Sequence, residues 1–229
     1  MLEIYAVNMG KGTFINWERL LPYISEERRT RILLRKTYED IMREIACDIL
    51  VQNIVHEKYG MKNTIEWGYS SYGKPFIHNL SSFQFSLAHA GEWVVCAVDT
   101  QPVGIDIEYA QAVDFQAIQY LFSSQEQKWW KEIPENKRLE TFYRIWIGKE
   151  SYVKATGRGV SKNFSSFTVS LQEGRVYDEQ SRENWFIKHI PFHKEYSLSV
   201  CTRREDFPKK VRSTTVKQLI EERLDRSHY

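Results

Sequence analysis

Asp106 and Glu108 stand two residues apart in the segment Gly104-Ile105-Asp106-Ile107-Glu108. Strand alternation sends Val103, Ile105 and Ile107 to one face and both acids to the other, which leaves the carboxylates as same-face neighbours with Cα atoms roughly 6 to 7 Å apart. Side chains so placed converge on one hard cation, and repel each other without one. A half-buried strand with an acidic solvent face carries the same pattern. Further on, in Trp146-Ile147-Gly148-Lys149-Glu150-Ser151-Tyr152-Val153-Lys154, the spacing i, i+4, i+8 puts Trp146, Glu150 and Lys154 on one helix face. An acid and a base then point the same way, although a Glu four residues before a Lys is also an ordinary helix-stabilising pair.

A third group is cationic: Arg28, Arg29, Arg31, Arg35, Lys36 and Arg43 in the first half, then Lys74 before Pro75 and His89 before Ala90-Gly91. Arginine forks and lysine point charges suit a ligand with several phosphates, gripped from separate segments. Other chemistries find less. His189 and His193 have helical spacing, but Pro191 lies between them and no glutamate follows the first, so the zinc-protease helix is not matched. There is no P-loop, no Gly-x-Gly-x-x-Gly and no Gly-x-Ser-x-Gly.

Both halves alternate strand and helix patterns. Leu2 to Val7 reads as a strand, 17–36 as a helical stretch, and Thr37 with Asp40 as the cap of a helix whose stripe Ile41, Ile45, Ile49 and Ile54 runs towards Gly60. Phe83 to Leu87 and Trp93 to Val98 read as a strand pair around His89-Ala90-Gly91. The second half shows a strand at 103–108, helices near 115–120 and 139–154, and strands near 167–171, 185–190 and 197–202. Ser81-Ser82-Phe83-Gln84-Phe85-Ser86-Leu87 matches Ser165-Ser166-Phe167-Thr168-Val169-Ser170-Leu171 at five of seven positions, an echo of the kind a duplication leaves. The expectation is an α+β fold of two similar pseudo-symmetric lobes, 1–102 and 103–205, with a polar tail over 206–229. The active site is expected in the cleft between the lobes.

The 229 residues suffice for that plan. A formal net charge of +2 names no nucleic-acid partner. The amino terminus does not read as a signal peptide, and no stretch approaches 18 apolar residues, so a cytoplasmic protein without membrane contact is expected. Cys47, Cys96 and Cys201, odd in number and set in apolar surroundings, read as reduced core thiols.

Gly104-Ile105-Asp106-Ile107-Glu108 followed by Trp146-x-x-Lys149-Glu150-Ser151-x-x-Lys154 resembles the signature of the 4′-phosphopantetheinyl transferases. The two-lobed, Sfp-type branch is favoured by chain length and by first-half elements: Ile24-Ser25-x-x-Arg28, Asp40-x-x-Arg43, Tyr72-Gly73-Lys74-Pro75 and Phe85-x-x-Ala88-His89-x-Gly91. The resemblance runs from about residue 1 to 205. It implies transfer of the 4′-phosphopantetheine group of coenzyme A to a serine of an apo carrier protein, with 3′,5′-ADP leaving, by a monomer. It implies Mg²⁺ held by Asp106, Glu108 and Glu150, and Glu150 and Lys154 as catalytic residues. Arg28, Arg31, Arg43 and His89 are implied at the 3′-phosphate, Lys74 at the nucleotide end, Lys154 at the pyrophosphate and Glu126 as a further acid near the metal. Ile118 and Leu121 are implied as carrier contacts, with Phe122 expected in the core. By the same analogy the carrier is that of a nonribosomal peptide synthetase. Glu44 stands where relatives often have a small hydroxyl residue, and Ala88 where serine commonly precedes the histidine. A carboxylate there repels phosphate unless it is turned away or paired with Arg43 or Arg28. A Mg²⁺-dependent hydrolase of nucleotide pyrophosphates would want the same groups and is the alternative.

Overall fold

Strand β1 (Glu3–Asn8) is followed by a 3₁₀ segment (Trp17–Tyr23) and helix α1 (Glu26–Leu33). The helical stretch expected over 17–36 is thus broken at Ile24 and Ser25, close after Pro22, whose ring cannot sit inside an α-helix. Helix α2 (Tyr38–Tyr59) starts at Thr37, whose side chain accepts a hydrogen bond from the Asp40 backbone N–H, and stops at Gly60 in the left-handed region. Strands β2 (Trp67–Tyr69), β3 (Pro75–Ile77), β4 (Gln84–Ala90) and β5 (Trp93–Asp99) complete the first half. The computed structural model describes residues 1–10, 14–61, 65–78, 80–159 and 162–226.

The second half opens with β6 (Val103–Tyr109), then α3 (Phe115–Ile118), α4 (Ser124–Glu132) and α5 (Glu135–Thr156). Strands β7 (Thr168–Ser170), β8 (Arg175–Tyr177), β9 (Trp185–His189) and β10 (Tyr196–Thr202) follow. One sheet has the order β6-β10-β9-β8-β7 and the other runs β1-β5-β4, with β2-β3 a separate ribbon. Each half therefore gives an opening strand, a 22-residue helix ended by a left-handed glycine (Gly60 or Gly157), and two hairpins whose last strand lies antiparallel to the first. The fold is α+β in two similar lobes.

The five-of-seven echo is not the register of that repeat. By order in its lobe β4 corresponds to β9, whereas the echo pairs β4 with the edge strand β7. Similar strand chemistry, not position in the repeat, accounts for the match.

Alternation assigns the faces. Tyr5, Val7, Val94, Cys96 and Val98 join Ile45 and Ile49 of α2 in the first-lobe core. Leu2, Ile4, Ala6, Trp93, Val95 and Ala97 turn the other way and pack on Val103, Ile105, Ile107, Leu198 and Val200 of the second sheet. The lobes thus meet sheet face to sheet face, and the Ile105 N–H donates to Ser86 Oγ at 3.1 Å across the junction.

The segment after 206 does more than trail. Strand β11 (Arg212–Thr215) pairs parallel with β1, and helix α6 (Val216–Arg226) buries Val216, Leu219 and Ile220 on the first-lobe core. That i, i+3, i+4 stripe sits among enough charges for the segment to read as polar throughout.

Candidate active site

Gly104, Asp106 and Glu108 occupy the face of β6 turned towards α5. A Cβ at Gly104 would overlap the Ser151 carbonyl oxygen and the Ala155 backbone nitrogen, so only glycine lets the helix lie this close to the strand. The close approach brings Glu150 and Lys154 over the two strand acids. Lys154 Nζ donates to Asp106 Oδ1 at 2.7 Å, and the Trp146 indole N–H donates to Glu108 Oε1 at 3.2 Å. Trp146 shares the helix face of Glu150 and Lys154, so its partner was legible in the spacing even though no role was assigned to it.

Burial pushes all three carboxyls above their ordinary values. For Glu150 the neighbouring Asp106 adds to that push, and Lys154 opposes it. Asp106 is buried, and its second oxygen, Oδ2, has no hydrogen-bond partner. Among the described residues no three His, Cys, Asp or Glu side chains are grouped closely enough to hold a metal ion by themselves. The donor set nevertheless fits a divalent cation of the Mg²⁺ type. It offers carboxylate oxygens, one of them orphaned, and such ions complete their shell with water and substrate phosphate.

His89, on β4, faces the same seam from the first lobe. Its side chain is exposed, yet partial loss of hydration pushes its imidazole down, with the Arg43 and Lys154 charges adding to the effect. Arg43 is committed to Asp40 (3.0 Å) and to the Gly91 carbonyl oxygen (3.0 Å). Arg28 is buried, with its guanidinium over Trp67 and paired to Glu44 at 2.8 Å. Glu44 also takes Arg35, so the carboxylate at this unusual position is paired with Arg28, one of the two partners that would relieve its repulsion. Arg31 lies exposed over the Tyr69 ring.

Lys74 reaches between the lobes and donates to the carbonyl oxygens of Val103 (3.0 Å) and Ala155 (3.1 Å). A cavity of about 420 Å³, lined by Lys74, Pro102, Tyr152 and Arg158, opens beside it at the start of β6 and the end of α5. The acids lie farther along both elements, outside that lining. Glu126 stands apart from them. It caps α4 through Ser123, receives the Val169 N–H at 2.7 Å and pairs with the fully buried Lys149 at 2.8 Å. With both oxygens committed it is part of the frame under α5, not of the acid cluster. Phe122 is buried against Trp130 and Phe142, as expected, while Ile118 and Leu121 are only partly covered on the same cluster. Between them Tyr120 is 73% exposed, which no periodicity in so short a segment foretells.

The second lobe, residues 102–201, matches the model of the 4′-phosphopantetheinyl transferase superfamily, and residues 11–101 match that of the 4′-phosphopantetheinyl transferase N-terminal region. The 4′-phosphopantetheinyl transferase Sfp of Bacillus subtilis (strain 168) is 32% identical, across 96% of this chain and 100% of its own length. This chain belongs to that superfamily. The 4′-phosphopantetheinyl transferase psf-1 of Bacillus pumilus is 31% identical over 96% of this chain and 97% of its own. The L-aminoadipate-semialdehyde dehydrogenase-phosphopantetheinyl transferase of Homo sapiens is 26% identical over 83% and 70%. Phosphopantetheinyl transferases use coenzyme A, generally with a divalent metal, and act on apo carrier proteins. Membership decides against the pyrophosphate hydrolase. Among the described residues no helix is long and apolar enough to cross a membrane.

Proposed function

We propose that the seam between β6 and α5 is where the 4′-phosphopantetheine of coenzyme A passes to the serine of an apo carrier protein. The observation that carries this reading is the unpartnered Asp106 Oδ2 beside the Lys154–Asp106 pair, with Glu108 and Glu150 as neighbours. Asp106, Glu108 and Glu150 would hold Mg²⁺, which when bound offsets negative charge on the pyrophosphate. Lys154 faces the pyrophosphate as a point charge and stabilises the oxygens on which charge builds. Glu150, on the α5 face beside Lys154 and over the strand acids, takes the serine proton. The serine oxygen bonds to the β-phosphorus, the bond from that phosphorus to the bridging oxygen breaks, and 3′,5′-ADP leaves.

His89, Arg28, Arg31 and Arg43 form the first-lobe wall towards the adenosine end, with Lys74 near the nucleotide. Ile118 and Leu121 offer partly covered apolar surface to the carrier. The matched regions, which meet at 101/102, support lobes of 1–102 and 103–205, and 206–229 completes the first. The acceptor is read as the peptidyl carrier of a nonribosomal peptide synthetase, on likeness to the Sfp-type branch. The setting is read as cytoplasmic, with Cys47, Cys96 and Cys201 buried and free.

Incubation with coenzyme A, Mg²⁺ and apo carriers of several types, followed by intact-mass measurement, should show one phosphopantetheine added. Glu150→Gln should lower that rate by about 10² to 10⁴ without moving the thermal unfolding midpoint. An unmodified carrier in every case, or a Glu150→Gln variant with native turnover, removes respectively the reaction or the base.

A further inference from the structure

The acid cluster and Lys154 account for the pyrophosphate of the donor. Coenzyme A carries one more phosphate, on the ribose 3′-oxygen, and the wall read above as facing the adenosine end carries the arginines of α1 and α2. A carboxylate already sits there. Glu44 Oε2 lies 2.8 Å from Arg28 Nη2, and Glu44 Oε1 accepts from Arg35 through Nε at 3.1 Å and through Nη2. Arg28, only 5% exposed, lies with its guanidinium 4.6 Å from the Trp67 ring centre, and its Nη1 donates to the Tyr69 hydroxyl at 3.4 Å. Arg31 stacks on the same tyrosine at 4.9 Å, and its charge acts on Glu44. Burial opposes ionisation of Glu44, but Arg28 and Arg35 hold its carboxyl below the usual range, so it is charged at neutral pH. The charges of Glu44 and of Lys154 both act on the His89 imidazole.

We propose that Glu44 is an internal counter-anion that sets donor specificity, filling the place of a donor phosphate among Arg28, Arg31 and Arg35, so that coenzyme A lacking its 3′-phosphate is accepted nearly as well as coenzyme A. The proposal rests on the reading that coenzyme A is the donor. A phosphate dianion arriving at this wall must share Arg28 and Arg35 with a carboxylate of like charge, or displace it from them. Either route cancels much of the attraction that unpaired arginines would offer. A donor without that phosphate leaves the Glu44 pairs intact and gives up only what Arg43 and His89 contribute.

The test compares kcat/KM for coenzyme A and 3′-dephospho-coenzyme A in the native enzyme, Glu44→Gln and Glu44→Thr. Calorimetric Kd values for 3′,5′-ADP and 5′-AMP give a readout that needs no turnover. The native enzyme should prefer coenzyme A by no more than about tenfold, and both substitutions should raise that preference by about tenfold or more, through KM and Kd and not through kcat. A native preference of roughly 10³, or variants with the native ratio, would overturn it. Substitutions that merely disturb packing weaken both donors and both nucleotides alike, leave the ratio where it was, and count against the proposal. If the native enzyme transfers from neither donor, the parent reading fails, and the two nucleotide affinities still decide the role of Glu44.

Discussion

The two lobes repeat one plan but treat the meeting of long helix and opening strand in opposite ways. In the first, α2 meets its sheet through Ile45 and Ile49 on Tyr5, Val7, Val94 and Cys96, an apolar layer of full-sized side chains. In the second, the face of β6 turned to α5 is Gly104, Asp106 and Glu108, with Glu150 and Lys154 opposite. Dry packing holds the first pair of elements together. In the second the missing Cβ of Gly104 allows a closer approach, and the space beside it is given to charges that burial disfavours. Chemistry has therefore been placed in one copy of a shared joint, and that copy needs bracing from elsewhere. The bracing is visible in Lys149–Glu126, fully buried, which also ties α5 to the Phe164 and Phe167 carbonyls at 2.7 Å each. A second buried pair, Lys162–Asp178 at 2.7 Å, holds the Tyr152 hydroxyl at 2.6 Å through the same aspartate.

The contrast can be broken most sharply at Glu126. Glu126→Gln leaves the Lys149 ammonium buried without its counter-charge and should cost about 3 to 5 kcal/mol in denaturant unfolding. Ile49→Val in the dry joint should cost only about 0.5 to 1.5 kcal/mol. Equal costs would mean that the charged joint has no special need of its brace. A smaller effect is expected at Gly104. The added methyl of Gly104→Ala meets backbone on two sides, so the helix must shift, at about 1 to 3 kcal/mol, and transfer activity should fall with it. Native activity in this variant would show that the close approach is dispensable.

An effect of another kind, one that varies with pH, belongs to Lys74, the first-lobe side chain that reaches into the second joint. Burial pushes its ammonium down from 10.5 to about 8. The unfolded chain keeps that proton to higher pH, so between about 8 and 10.5 unfolding takes up a proton at this position. The native protein should therefore gain stability relative to Lys74→Met as pH rises through that window, and lose the gain as pH falls back towards 8. A Tm difference between the two that stays flat from pH 7.5 to roughly 10.5 would place Lys74 in water.

Much of the charged joint was legible beforehand. A period of two over 103–108 separated Ile105 and Ile107 from Asp106 and Glu108, and the structure buries the two isoleucines in the core between the lobes. The ends of α2 were written in Thr37 and Gly60, because capping chemistry is local. Helix α4 was missed although Ser123 and Glu126 form its capping box, since nine residues with two tryptophans show little periodicity. Strands β8 and β11, of three and four residues, are too short for alternation to register. Glu126 was out of reach for another reason: a glutamate that stands near a metal and one that neutralises a buried lysine look the same in a sequence. Only the course of α5 over β7 separates the two.

The return of the last strand to the first has a consequence for the order in which the protein is made. The free side of β1 is covered by β11, whose residues follow more than a hundred positions after the first lobe is otherwise complete. While the chain is being synthesised, the first sheet therefore waits with an open edge, and the second lobe can finish before it. An unpaired β1 edge invites strand addition from neighbouring nascent chains. The closing segment acts late, as the piece that ends that exposure and gives the first lobe its full stability.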